Sequence, residues 1–169
     1  MILTQYLRAL PGSAKPRWFM ALTAFLLLFS LGNAQAGTVD PFKDLLGSWK
    51  GSGTFSLQDG TRERISCNAY YTGGGAQLHL AILCKSPNNQ IHMRGKLSYN
   101  GGHLSGSWEE RTYHAEGQLK GRATDKKLKM SISGNVTGSM LVSYAKRRQN
   151  VQIKTAGTSL KTVNIKLAR

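Results

Sequence analysis

Acid–base chemistry needs two carboxylates facing one substrate, and the sequence holds one adjacent acidic pair, Glu109-Glu110. On a strand, neighbouring side chains point to opposite faces, so these two cannot act together. If Leu104, Gly106 and Trp108 face inward, Glu110 does too and Glu109 meets solvent. An inward carboxylate is costly unless paired or hydrogen-bonded. Glu110 is therefore either a polar anchor in a ligand cup beside Tyr71, Tyr99 and Trp108, or a rim residue that is solvated or paired with a basic side chain. His79, His92, His103 and His114 stand singly, without H-x-H or H-E-x-x-H spacing, and no metal site is expected. No G-x-S-x-G occurs, and the glycine-rich stretches lack the strand–loop–helix setting of a phosphate loop. With no catalytic constellation, no cofactor is implied, and the expectation is a protein that is not an enzyme. Asn135-Val136-Thr137 fits a glycosylation sequon, a pattern common by chance.

The elements that would position these residues read as strands. Period-two alternation recurs after residue 46, broken at roughly regular spacing by turn signals such as Gln58-Asp59-Gly60, Gly73-Gly74-Gly75, Asn100-Gly101-Gly102 and Thr124-Asp125-Lys126. Strands are predicted at 47–57, 61–72, 78–86, 90–99, 103–113, 115–124, 127–134, 138–147, 150–155 and 161–168. Asp40-Pro41 supplies a cap and a proline for one short helical turn ahead of the first strand. The fold class expected is an all-β, antiparallel up-and-down barrel of 8–10 strands.

One hairpin can be argued to register. Ile65, Cys67, Ala69 and Tyr71 form one face of a strand; Leu78, Leu80, Ile82 and Cys84 form one face of the next. For both apolar sets to share the core, a loop over 74–77 pairs Tyr71 with Leu80, Ala69 with Ile82 and Cys67 with Cys84. Cross-strand Cβ atoms lie about 4.5–5.5 Å apart, close enough for a disulfide. The bond would close a loop of about 18 residues, worth ~3 kcal/mol on chain entropy. The spacing is not that of a redox-active C-x-x-C pair.

Residues 1–36 carry Arg8, Lys15 and Arg17 and no acid, then an apolar run over 18–32, then Ala34-Gln35-Ala36. A basic start, an apolar stretch and an A-x-A site predict a secretory signal peptide cleaved after Ala36, leaving a single domain over 37–169 with no membrane span. A periplasmic or secreted location follows, and an oxidising compartment favours the disulfide. Across the chain, 23 Lys+Arg oppose 8 Asp+Glu. Removing the leader leaves 20 basic and 8 acidic side chains, so the basicity belongs to the folded part.

The first strand reads Gly47-Ser48-Trp49-Lys50-Gly51-Ser52-Gly53, with Trp49 and the glycines on one face. This resembles the calycin superfamily, the lipocalin-like and avidin-like barrels, whose first strand opens with G-x-W after a short helical turn. The resemblance implies a basic residue near the last strand packed on that Trp, and Arg169 is the matching position. The mature pattern also resembles small secreted proteins of alphaproteobacteria that share G-x-W-x-G-x-G and a later G-x-W-x-E, and this brings no activity with it. The second copy here is Leu104-Ser105-Gly106-Ser107-Trp108.

Alternation places Arg62, Arg64, Arg94, Lys96, Lys120, Arg122, Lys127 and Lys129 outward, as a basic wall that favours polyanions. Beyond an inner membrane these are lipopolysaccharide, acidic polysaccharide or lipid head groups. Nucleic acid is not expected, because aromatic–basic interleaving is thin. The leading expectation is an exported protein that binds an anionic or amphipathic envelope ligand through that wall. A small-molecule cup around Trp49, Tyr71, Tyr99, Trp108 and Glu110 is the first alternative, and inhibition of an exported protease the second.

Overall fold

The computed structural model describes residues 40–169; the leader expected over 1–36 lies outside them. Ten strands follow in chain order: β1 (Gly47–Leu57), β2 (Arg62–Gly74), β3 (Gln77–Lys85), β4 (Gln90–Asn100), β5 (His103–Glu110), β6 (Ala115–Thr124), β7 (Lys127–Gly134), β8 (Thr137–Ala145), β9 (Arg148–Ala156) and β10 (Leu160–Ala168). Each pairs antiparallel with its sequence neighbour, and β10 closes on β1, so the barrel has no free edge. The period-two code is the cause. In β2, Ile65, Cys67, Ala69 and Tyr71 are buried while Arg64, Ser66, Asn68 and Tyr70 face solvent, and β7 buries Leu128, Met130 and Ile132 in the same way.

The β2–β3 register is the expected one: Tyr71 faces Leu80, Ala69 faces Ile82, and Cys67 faces Cys84. Those cysteines form a disulfide with their Cα atoms 4.1 Å apart. The turn there is tighter than anticipated, because Gly74 and Gln77 already pair and Gly75-Ala76 make the reversal. Gly101 and Gly102 take φ of 54° and 87° between β4 and β5, the double left-handed turn that matches strand twist. β5 stops at Glu110, three residues earlier than predicted, because 111–114 form a turn held by the Glu110 carboxylate.

Ten alternating strands give the barrel two unlike ends. Segment 40–46 folds across the end where β1 begins. It is a single hydrogen-bonded turn, not a helix: Leu45 N–H donates to the Phe42 carbonyl at 2.8 Å, and Asp40 Oδ1 caps Phe42 N–H at 2.9 Å. Proline at 41 starts the turn, but the chain must enter β1 within a few residues, leaving no length for a second turn. Phe42 and Leu45 are fully buried, and Asp40 Oδ2 accepts from Gly75 N–H while Tyr144 Oη donates to the Pro41 carbonyl. This turn is thereby tied to the β2–β3 reversal and to β8. The other end carries the connections 58–61, 86–89, 111–114, 135–136 and 157–159 and has no such cover among the described residues.

Candidate functional site

Between the two ends lies a cavity of about 530 Å³. Its walls are inward side chains from around the ring, including Phe55, Leu80, Ile82, Met130, Met140 and Ile153, and Asn89, Tyr113, Asn135, Thr158 and Ser159 stand at the mouth. The wall exists because inward positions alternate large residues with glycines. Gly95 and Gly117 flank Trp108 across β4 and β6. A Cβ on Gly117 would collide with the Ser133 carbonyl and lie 2.8 Å from Trp108 Nε1, so glycine there lets the indole lie flat over the next strand. Trp108 Nε1–H donates to that same Ser133 carbonyl at 3.3 Å.

At the mouth, Glu110 is buried but fully engaged. His92 N–H donates to its Oε1 at 2.7 Å and Tyr113 N–H to its Oε2 at 2.6 Å. Backbone amides, not a basic side chain, offset its burial, and the carboxylate serves to fix the 111–114 turn. Tyr113 Oη then reaches across to Asn89 Oδ1 at 3.0 Å, bridging two mouth connections. Below Asn89, the Ser86 hydroxyl donates at 2.6 Å to Glu63 and holds that carboxyl below its ordinary value.

At the opposite end, Gln149 Nε2 donates to Tyr71 Oη at 2.8 Å, and both residues line the cavity. Burial pushes the Tyr71 phenol up to about 12, against a smaller opposing pull from the Gln149 hydrogen bond. Trp49 lies beyond them, 1% exposed, its indole N–H on the Leu45 carbonyl at 2.7 Å and the Arg169 guanidinium 4.2 Å above its ring centroid. Arg169 also donates to the Asp44 carbonyl.

The five residues expected around a lumen therefore divide. Tyr71, Trp108 and Glu110 line the cavity; Trp49 and Tyr99 do not. Trp49 points inward but is spent sealing the closed end. Tyr99 packs edge-on against Phe42, with ring centroids 6.4 Å apart, and borders a separate outer cleft with Asp40, Pro41 and Tyr144. Gln149 was missed, although parity with Val151 and Ile153 on β9 would have flagged it as an inward polar residue.

The eight basic positions are all exposed, but they do not make one wall. Arg62 and Arg64 lie on β2, on the far side of the ring from β7, because strand order follows the sequence. Arg94 faces Glu109 across β4–β5. The compact remainder is on β6–β7, where Arg122 sits directly opposite Lys129, with Lys120 opposite Ser131 and Lys127 opposite Thr124. The histidines stay dispersed, and among the described residues no three His, Cys, Asp or Glu gather as a metal-binding group. No helix among them is long and apolar enough to cross a membrane.

No protein-family model matches the chain, and no curated protein matches its sequence. Its fold is similar to that of a solved structure, the S-type phycobiliprotein lyase CPES from Guillardia theta, with a TM-score of 0.52 and 14% identity over 76% of this chain and 89% of that one. At that identity the likeness speaks for the fold alone, a closed antiparallel β-barrel. The likeness also corrects the expectation that the protein is not an enzyme: a barrel of this fold is a lyase, so the absence of a familiar catalytic motif excludes nothing. Catalytic motifs report strand–turn–helix settings, and a barrel can instead gather its groups from many strands around one lumen.

Proposed function

We propose that the protein binds an apolar or amphipathic small molecule inside the barrel. The observation that carries this reading is the 530 Å³ cavity, walled by aliphatic, methionine and aromatic side chains and ending in a polar mouth. That is the size and chemistry of a site that removes apolar ligand surface from water while a few polar groups orient it. Methionines at 93, 130 and 140 add adaptable walls. The leader-like start and the Cys67–Cys84 disulfide support export, to the periplasm or beyond. The test is titration with N-phenyl-1-naphthylamine, an uncharged probe that brightens in apolar sites. Brightening that saturates, and that weakens at least tenfold when Ile153→Trp fills the lumen, is expected; equal brightening in both proteins would discard the reading.

A second reading concerns the outer face. Like charges directly opposite on paired strands are destabilising, and Arg122 opposite Lys129 is such a pair, flanked by His103 on β5 and Leu141 on β8 rather than by acids. We propose that this face docks on an anionic envelope surface such as lipopolysaccharide, acidic polysaccharide or lipid head groups. Heparin retention that falls steeply with salt, and falls further in Arg122→Gln/Lys129→Gln than in Arg62→Gln/Arg64→Gln, is expected. Equal retention by the two variants would remove the β6–β7 face from consideration.

A further inference from the structure

Resting on the lumen reading, we propose that Gln149 and Tyr71 recognise an uncharged hydrogen-bonding terminus of the ligand, an alcohol, amide or protonated acid borne on an apolar chain. Gln149 is 1% exposed, and its Oε1 has no hydrogen-bond partner. A buried amide oxygen left unpaired is among the costlier features a core can hold, and native proteins keep few of them. Its other atom, Nε2, donates to Tyr71 Oη, which leaves the Tyr71 O–H proton without an acceptor. The pair therefore carries one free acceptor, Oε1, and two free donors, the Tyr71 O–H and the second Nε2 hydrogen, side by side. Turning the amide over reverses the two roles and leaves the same complement, so the chemistry offered does not depend on which way the amide sits.

A hydroxyl matches that complement, since it donates and accepts at one atom; an amide or a protonated carboxyl does so with two. An alkane terminus satisfies neither group, and a carboxylate cannot donate. Among the described residues no lysine or arginine lines the cavity to offset an anion, and the Tyr71 phenol stays neutral because burial pushes it up to about 12. The pair also lies at the sealed end, where Leu45 and Leu78 line the same cavity, so the polar terminus enters first and the chain trails toward the mouth. The terminal torsion of glutamine is broad, which lets the amide swing to meet an incoming group.

The experiment is displacement of N-phenyl-1-naphthylamine from the full protein by dodecan-1-ol, dodecane and dodecanoate at pH 8. It is run on wild type, Gln149→Leu, Tyr71→Phe and the double variant. Wild type is expected to favour dodecan-1-ol, with the alcohol-to-alkane preference falling at least roughly tenfold in each single variant, as for loss of a buried hydrogen bond. The double variant, with both polar atoms gone, is expected to keep binding the naphthylamine and to melt no lower than wild type. If the preference is unchanged while the naphthylamine still binds, the anchor is wrong and the lumen reading survives. If the double variant loses the naphthylamine as well, the pair is structural and the proposal falls. If wild type never binds the naphthylamine, the lumen reading fails and takes the anchor with it.

Discussion

Trp49 and Trp108 enter the barrel from the same Gly-Ser-Trp segment, on strands that both start at the sealed end. Trp49 is the third residue of β1 and stays at that end; Trp108 is the sixth residue of β5 and lies further along, in the cavity wall. Each indole N–H finds a backbone carbonyl, Leu45 for one and Ser133 for the other. What differs is the surroundings. Trp49 is enclosed by the 40–45 turn and covered by Arg169, whereas Trp108 has glycines beside it and the cavity before it. One motif can thus be a plug or a wall, and its height along the strand decides which.

That contrast breaks most clearly under truncation. Trp49→Ala should destabilise by about 3–5 kcal/mol, because the closed end is packed and cannot collapse into the gap. Trp108→Ala should cost no more than about 2–3 kcal/mol, since part of its surface already borders open space, while weakening naphthylamine binding. Urea unfolding of both variants measures the difference, and equal costs would mean the two ends are alike.

Alkaline pH sharpens the comparison from the sealed side. Burial lifts Tyr71 to about 12, and burial with the nearby carboxylates of Asp44, Asp125 and Asp40 lifts Tyr144 to about 12. The unfolded chain releases these protons near its ordinary value of 10, so stability is complete below pH 10 and is lost as pH rises through 12. The loss should be on the order of 2–3 kcal/mol for Tyr71. Tyrosinate absorbance followed alongside unfolding checks it: in Tyr71→Phe the alkaline loss should shrink. The smallest effect belongs to Arg169→Ala, which removes the cation from the Trp49 face and should cost about 0.5–1 kcal/mol, because the residue is exposed.

The closed end and the lumen were unequally legible. Strand phase and the Cys67–Cys84 pairing followed from alternation, since a period of two assigns every side chain a face, whereas the Arg169–Trp49 contact was what the G-x-W resemblance implied. Phase says which way a residue points but not how far along the axis it sits. That is why Trp49 and Tyr99 were grouped with Tyr71, Trp108 and Glu110 around one cup. Glu110 shows the same gap, because its partners are the amides of His92 and Tyr113, and the turn that brings the second of these back is set by where β5 stops.

By itself, then, the chain determined an all-β alternation, its turns, its disulfide and its excess of positive charge, because these depend on residue type and local spacing. Only the closed barrel decided that the interior holds space, that Gln149 and Tyr71 meet at its base, and that the basic positions split between β2 and β4–β7. Those outcomes depend on how ten strands stagger around a common axis. Side chains far apart in sequence, such as positions 71 and 149, become neighbours only once the ring is closed.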